Sequence, residues 1–179
     1  MRALTLIQPM AWALFHGKDV ENRDWEPPVK LGVEPFCVHG GKSYDRDYEE
    51  FIKEILGLER LPAEAHAAGV LGVVTVDRVI KGGRANGSPG PAQVRVGDRW
   101  QRANTLLEKA FLSPWYVGKF GWCIADRIEF PAPIPCRGML GMWPLPDVVE
   151  AHVKAYLESG HAEWVRRRAE VAGQLEVKR

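Results

Sequence analysis

The sequence predicts an α+β fold in which six strands form one small, mostly closed barrel flanked by short helices, with a helical extension at the C-terminus. Two observations carry this reading. Six runs are either apolar throughout or alternate with period two, as strands do. The segments between them are too short to supply the helices of a doubly wound sheet. The 179 residues, 46% of them hydrophobic, suit one domain with a decoration and exclude a disordered chain. The expected barrel domain is 1–146, with 81–112 as an insertion of loop and short helix, and 147–179 as the extension.

Residues 3–7 (ALTLI) suit a buried strand. Gln8-Pro9 stops it, and Pro9 fits the first turn of a helix over 10–16, where its missing N–H costs nothing. Gly17 is placed to end that helix in a left-handed cap. A second strand follows over 19–25 (DVENRDW). Alternation puts Asp19, Glu21, Arg23 and Trp25 on one face and Val20, Asn22 and Asp24 on the other. That face offers an acid, a guanidinium and an indole, with Lys18 just upstream. Spacing alone also fits a solvated edge whose ion pairs contribute a few tenths of a kcal/mol each.

After a break at 26–28 (EPP) and a turn over 29–34, residues 35–41 (PFCVHGG) read as the third strand. Cys37 and His39 share a face there. That spacing would suit half of a metal site, but no second pair follows at a matching spacing, so a buried thiol beside a hydrogen-bonded histidine is expected, and no metal. Residues 45–58 form an amphipathic helix with Tyr48, Phe51, Ile52, Ile55 and Leu56 in one stripe. Residues 69–80 (GVLGVVTVDRVI) are apolar on both faces, as a central strand is, and their two glycines mark a bulge or bend. A Gly- and Pro-rich loop occupies 81–91, a hairpin arm 94–102, and a short helix 104–112.

The run 113–122 (SPWYVGKFGW) is dense in Ser113, Trp115, Tyr116, Lys119 and Trp122. Aromatics interleaved with a lysine stack bases and hold phosphate, or else plug a core. A strand over 120–130, a Pro-rich crossover over 131–135 and a closing strand over 137–145 complete the expected barrel. Residues 148–172 read as one or two helices broken near 159–160, and Arg166, Arg167 and Arg168 read as a solvated face.

The formal net charge of +1 hides two opposed segments. Residues 45–64 hold seven acids and three bases, whereas 78–102 hold six bases and one acid. Three cysteines without repeated spacing imply no disulfide framework. With strand-like sequence starting within three residues of Met1 and no apolar run of membrane length, a soluble cytoplasmic protein without a leader is expected. No phosphate loop, dinucleotide fingerprint, zincin helix or nucleophile elbow is present, and no cofactor is expected.

The stretch QPMAW…HGKDVENRDW (8–25) resembles the opening signature of the ASCH family, the activating-signal-cointegrator homology domains. Met10 stands where a tryptophan is common in that family. VHGGK (38–42) is similar to its H-A-x-K step. The S-P-W…G-W…I-P-C-R-G-x-L-G-x-W-x-L-P pattern of 113–146 resembles its C-terminal half. The likeness covers 1–146 in two blocks and implies a PUA-like barrel of five or six strands with a polar cleft. It also implies recognition of RNA or modified bases, and some ASCH proteins are hydrolases that deacetylate N4-acetylcytidine or cleave RNA. Lys18 matches the lysine of the deacetylase motif, whereas Glu21 stands where its threonine would be.

Three functional readings follow. In the first the cleft binds RNA or a modified nucleoside, with DNA as a further possibility and no membrane partner. Trp12, Trp25, Trp115 or Tyr116 then wall the base, and Glu21 or Gln8 reads its edge. The resemblance puts His39 and Lys42 near the rim, Ser113 converges on the same concavity, Arg23 and Lys42 hold phosphate, and Lys81, Arg84, Arg95, Arg99 and Arg102 contact the backbone. In the second a hydrolase uses Lys18 or His39 as proton carrier, Glu21 as a further catalytic group, and Ser113 or Tyr116 as nucleophile or stabiliser. In the third the domain serves protein interaction and needs none of these residues.

Overall fold

The computed structural model describes residues 1–83, 90–104 and 109–160. Within them the chain forms, in order, β1 (Arg2–Gln8), α1 (Met10–Ala13), β2 (Val20–Arg23), β3 (Phe36–Tyr44), α2 (Arg46–Leu56), β4 (Gly69–Lys81), β5 (Gln93–Val96), β6 (Arg99–Arg102), β7 (Phe120–Ile134), β8 (Met142–Pro144) and α3 (Asp147–Gly160). All eight strands join one sheet, ordered β2-β7-β4-β3-β1-β8, with β5 on β4 and β6 on β5. The fold is therefore mixed α+β. The sheet is not closed into a barrel: β2 and β8 end the path. The helix expected over 104–112 lies partly, and Arg84 and Arg166–Arg168 wholly, outside the described residues.

β4 is the spine. Its first half pairs with β3 and its last four residues with β5, while β7 runs antiparallel along its other edge. Being covered on both faces explains its unbroken apolar sequence. The glycines sit where the backbone is crowded. A Cβ on Gly72 would lie 2.2 Å from the Ile128 carbonyl oxygen and 2.7 Å from the Phe15 ring.

The short helices end where their caps dictate. α1 stops at Ala13, three residues before the expected His16, because the chain turns toward Gly17 (φ 112°) and β2. The Gln8 side chain holds that start, accepting the Trp12 N–H at 3.2 Å and donating to the Ala67 carbonyl at 2.5 Å. Asp45 caps α2 by accepting from the Asp47 and Tyr48 N–H groups, and Gly57 closes it in the left-handed region. Ile52 is fully buried, but Tyr48 is 41% exposed, so the expected apolar stripe is narrower by one residue.

β7 runs through Pro131 and Pro133 to Ile134, where a crossover was expected. Its register on β4 jumps from Gly72↔Glu129 to Val70↔Ile134, so four β7 residues oppose one on β4. A bulge of this kind needs no ladder N–H, which is what proline lacks. The closing strand is shorter than 137–145: β8 covers only Met142–Pro144.

Three apolar clusters organise the packing. The first joins Leu4, Leu6, Phe36, Val38, Val79 and Trp122 from four strands on one side of the sheet. The second packs Trp12, Ile52, Trp115 and Tyr116 over Val20, Ile80 and Cys123. The third sets Val149, Val153 and Leu157 of α3 on Ala3, Cys37, Val73 and Trp143. Burial raises the Cys37 thiol to about 12. No helix among the described residues is long and apolar enough to cross a membrane.

The crowding at Gly72 sets a test. Gly72→Ala should lower stability by about 2–3 kcal/mol, the cost of overpacking a close strand contact. Gly90→Ala meets open space at φ 98° and should cost only the left-handed backbone penalty of about 1 kcal/mol. Urea unfolding of both variants checks the order.

Candidate functional site

β2 is only four residues long and is held against β7 through the pairs Val20↔Cys123, Glu21↔Trp122, Asn22↔Gly121 and Arg23↔Phe120. Glu21 and Trp122 therefore point to the same side, into the first apolar cluster, and the carboxylate is 3% exposed. A carboxylate buried there needs cations. Lys18, also 3% exposed, donates its ammonium to Glu21 Oε2. Arg23 lies on the same face two residues on, with Nη2 2.9 Å from Glu21 Oε1. That second contact is an ion pair without hydrogen-bond alignment, and Arg23 Nε and Nη2 have no hydrogen-bond acceptor.

Arg23 forms part of the wall of a cleft of about 1510 Å³. The opposite walls are the 4–7 stretch of β1, His39 and Lys42 of β3, and the loop 135–141. Trp25 stands beside Arg23, edge-on to Trp122 with centroids 4.8 Å apart, and its carbonyl accepts the Trp122 indole N–H at 3.0 Å. Arg23 of β2, at one end of the sheet path, and the 4–7 stretch of β1, next to its other end, thus line one cavity. β8 pairs with β1 only as far as Leu4, so the 5–7 stretch borders the cleft instead of a strand.

The charge of the cleft has one sign. Among the described residues Arg23, Lys42 and Arg137 line it and no carboxylate does; Asp24, between Arg23 and Trp25, is exposed but not part of the lining, and Glu21 is buried behind Arg23. His39 is 4% exposed and its Nε2 lies 3.2 Å from the Cys136 carbonyl oxygen. A carbonyl only accepts, so Nε2 donates, while Nδ1 has no hydrogen-bond partner among the described residues. Gly138 passes directly over this ring: a Cβ there would lie 2.6 Å from His39 Cε1. The loop also displays Leu140 at 99% exposure and Met139 at 55%.

Of the residues expected in one site, Arg23, Trp25, His39 and Lys42 line the cleft, and Lys18 and Glu21 connect to it through Arg23. The others are elsewhere. Gln8 holds the start of α1. Trp12 stacks on His16 with centroids 4.1 Å apart and lines two separate, mostly apolar grooves near 58–64. Trp115 and Tyr116 are buried in the second cluster, as a core plug is, and Ser113 is buried beside them in sequence. Ser113 donates to Asp19 Oδ1 at 2.5 Å, because Asp19 precedes the strand and leaves the alternation that was expected to align it with Glu21.

The basic residues also divide. Lys81 lies over the Trp100 ring at 4.1 Å, and Arg95 pairs with Glu26 at 2.5 Å. Arg99 and Arg102 are exposed on β6. Two useful residues were not singled out in the sequence. Asn22 donates to the Trp115 carbonyl at 2.6 Å and accepts from the Val117 and Gly118 N–H groups, pinning the 113–118 turn to β2. Arg137 adds a cation to the cleft. An asparagine beside Val20 on the strand's other face was the available signal for the first; the second was quoted only within the I-P-C-R-G pattern of 134–138, with no role given to it. Cys37 and His39 do not converge on a metal site: Cys37 points into the third cluster, and among the described residues no group of three potential ligands forms.

No protein-family model and no curated relative matches the chain.

The ion-pair triad yields an asymmetric prediction. Glu21→Gln leaves Lys18 and Arg23 together without an acid and should cost about 3–5 kcal/mol of stability. Lys18→Met leaves Glu21 its Arg23 partner and should cost less, about 1–3 kcal/mol. Chemical denaturation of the two variants and their double mutant checks the order, with the double mutant expected to recover part of the Glu21→Gln loss.

Proposed function

We propose that the protein binds nucleic acid, as RNA or a modified nucleotide, in the cleft between Arg23, Trp25, Lys42 and the 135–141 loop. The observation that carries this reading is the cleft's one-signed charge: three cations, no carboxylate and an indole in one concavity. Anionic phosphate needs the first two features, and a planar base uses the third. The volume also bears on the ligand. About 1510 Å³ exceeds the ~300–1,000 Å³ of ordinary small-molecule pockets and leaves room for more than one nucleotide.

The resemblance to ASCH domains supports the same reading, since Lys18, Glu21 and Arg23 fall in the HGKDVENRDW stretch that carries it and the triad reaches the cleft wall at Arg23. On this account the sheet is a PUA-like barrel left unpaired between β2 and β8, and the opening is the binding site. Binding is favoured over hydrolysis because Ser113 and Tyr116, the candidate nucleophiles, are buried and do not line the cleft.

Fluorescence anisotropy with labelled RNA and single-stranded DNA tests the reading. Retention at low salt should weaken with a log–log slope of about −2, for roughly three phosphate contacts at ~0.7 each. Arg23→Ala, Lys42→Ala and Arg137→Ala should each reduce affinity about tenfold, as loss of a charge-assisted hydrogen bond does. Binding that ignores salt and all three substitutions overturns the proposal.

A further inference from the structure

The register of the sheet places a row of side chains that begins at the cleft wall and continues beyond it. Arg23 pairs with Phe120, Phe120 with Lys81, Lys81 with Gln93, and Gln93 with Arg102. Directly paired residues share a face of the sheet, so these five side chains stand in line across β2, β7, β4, β5 and β6. At ~4.8 Å per strand, four steps span about 19 Å.

The next row inward is closed off. It holds Glu21, Trp122, Val79, Arg95 and Trp100. The segment after β2 covers it, through the Trp25 carbonyl on the Trp122 indole, Glu26 on Arg95, and the Gly32 N–H on the Val76 carbonyl. The Arg23-to-Arg102 row is therefore a ledge along the border of that cover. Its first four members are half-buried and Arg102 is exposed. The ledge itself carries three cations and no acid; Asp24 and Asp98 lie off it. Lys81 Nζ sits 4.1 Å over Trp100 and 5.9 Å from the Phe120 centroid, and Lys119 Nζ lies 5.5 Å over Phe120.

We propose that a single strand of nucleic acid leaving the cleft at Arg23 runs along this row, with Lys81 and Arg102 holding phosphates and Phe120 supporting a base. The inference rests on the cleft reading and adds the substrate class: an oligonucleotide, not a free nucleoside. Charge complementarity and continuity with the cleft argue for a polyanion. A ledge one residue wide, with an aromatic ring among its cations, argues for a single strand.

Full-length protein titrated with uridine monophosphate and with labelled oligouridylates of two, four and eight nucleotides tests it, alongside the matched DNA octamer and a duplex. Affinity should rise steeply up to about four nucleotides, the smaller end of single-strand site sizes. Arg102→Ala and Lys81→Met should each weaken octamer binding about tenfold, lower its salt slope by about 0.7, and leave monophosphate binding unchanged. Arg102 is exposed, so its variant reads binding without a folding defect. Equal affinity for monophosphate and octamer, or octamer binding indifferent to Arg102→Ala, overturns the row while the cleft reading stands. Equal losses on RNA and DNA place Arg102 on phosphate; a loss on RNA alone, or a preference for the duplex, overturns the assignment. If neither monophosphate nor oligonucleotide binds, the cleft reading fails and this proposal with it.

Discussion

A single carboxylate sets most of what is distinctive here. Glu21 is carried into the first apolar cluster by the pairing of β2 with Trp122, and removal from water costs several kcal/mol per ion unless the charge is matched. Lys18 and Arg23 match it from opposite sides. Because two cations share one acid, the triad keeps one net positive charge, and the half-exposed member, Arg23, carries it to the cleft wall. Burial on one side and a cleft on the other thus follow from the same pairing. The turn that brings Lys18 back to Glu21 is fixed in its own right, by the Gln8 side chain at the start of α1 and by Arg127 donating to the Leu14 carbonyl at 2.8 Å.

Much of the fold was legible because strand periodicity is local. The runs at 3–7, 19–25, 35–41, 69–80, 120–130 and 137–145 all contribute strands, and the three-and-four spacing of Phe51, Ile52, Ile55 and Leu56 marks α2. What was not legible depends on partners. The prolines at 131 and 133 read as a break, yet a bulge against Val70 and Gly72 lets β7 continue through them. The stretch 137–141 alternates like a strand but has the cleft beside it in place of a neighbour. Closure of the sheet is a property of its two ends, and no single run encodes whether β2 and β8 meet.

Of the residues expected together, those of β2, the segment after it and β3 share a cleft or its buried support, and those at 113–116 lie elsewhere. Glu21 and Arg23 could be placed on one face because β2 is regular there, and the face proved to be the buried one. For Ser113, Trp115 and Tyr116 the sequence left a base-stacking site and a core plug open, because large aromatics serve a core as well as a ligand and sequence shows residue type without surroundings; the fold buries all three, with Trp115 and Tyr116 as the plug. Their environment was decided by Asn22, whose amide bonds tie the 113–118 turn to the outer side of β2. Likewise Lys81 and Arg95 counted as free cations in the sequence, whereas Trp100 and Glu26 engage them. Charge density along a chain predicts a basic surface only after such internal partners are subtracted.

The central claim is that the ligand lies between Trp25 and the 135–141 loop. Photocrosslinking of an oligonucleotide bearing 4-thiouridine, followed by mass spectrometry of the crosslinked peptides, locates it without altering the protein. The account predicts adducts on the peptide containing Trp25 and on the one containing 135–141. Adducts confined to the 113–118 turn or to α3, with none at the cleft, would contradict it.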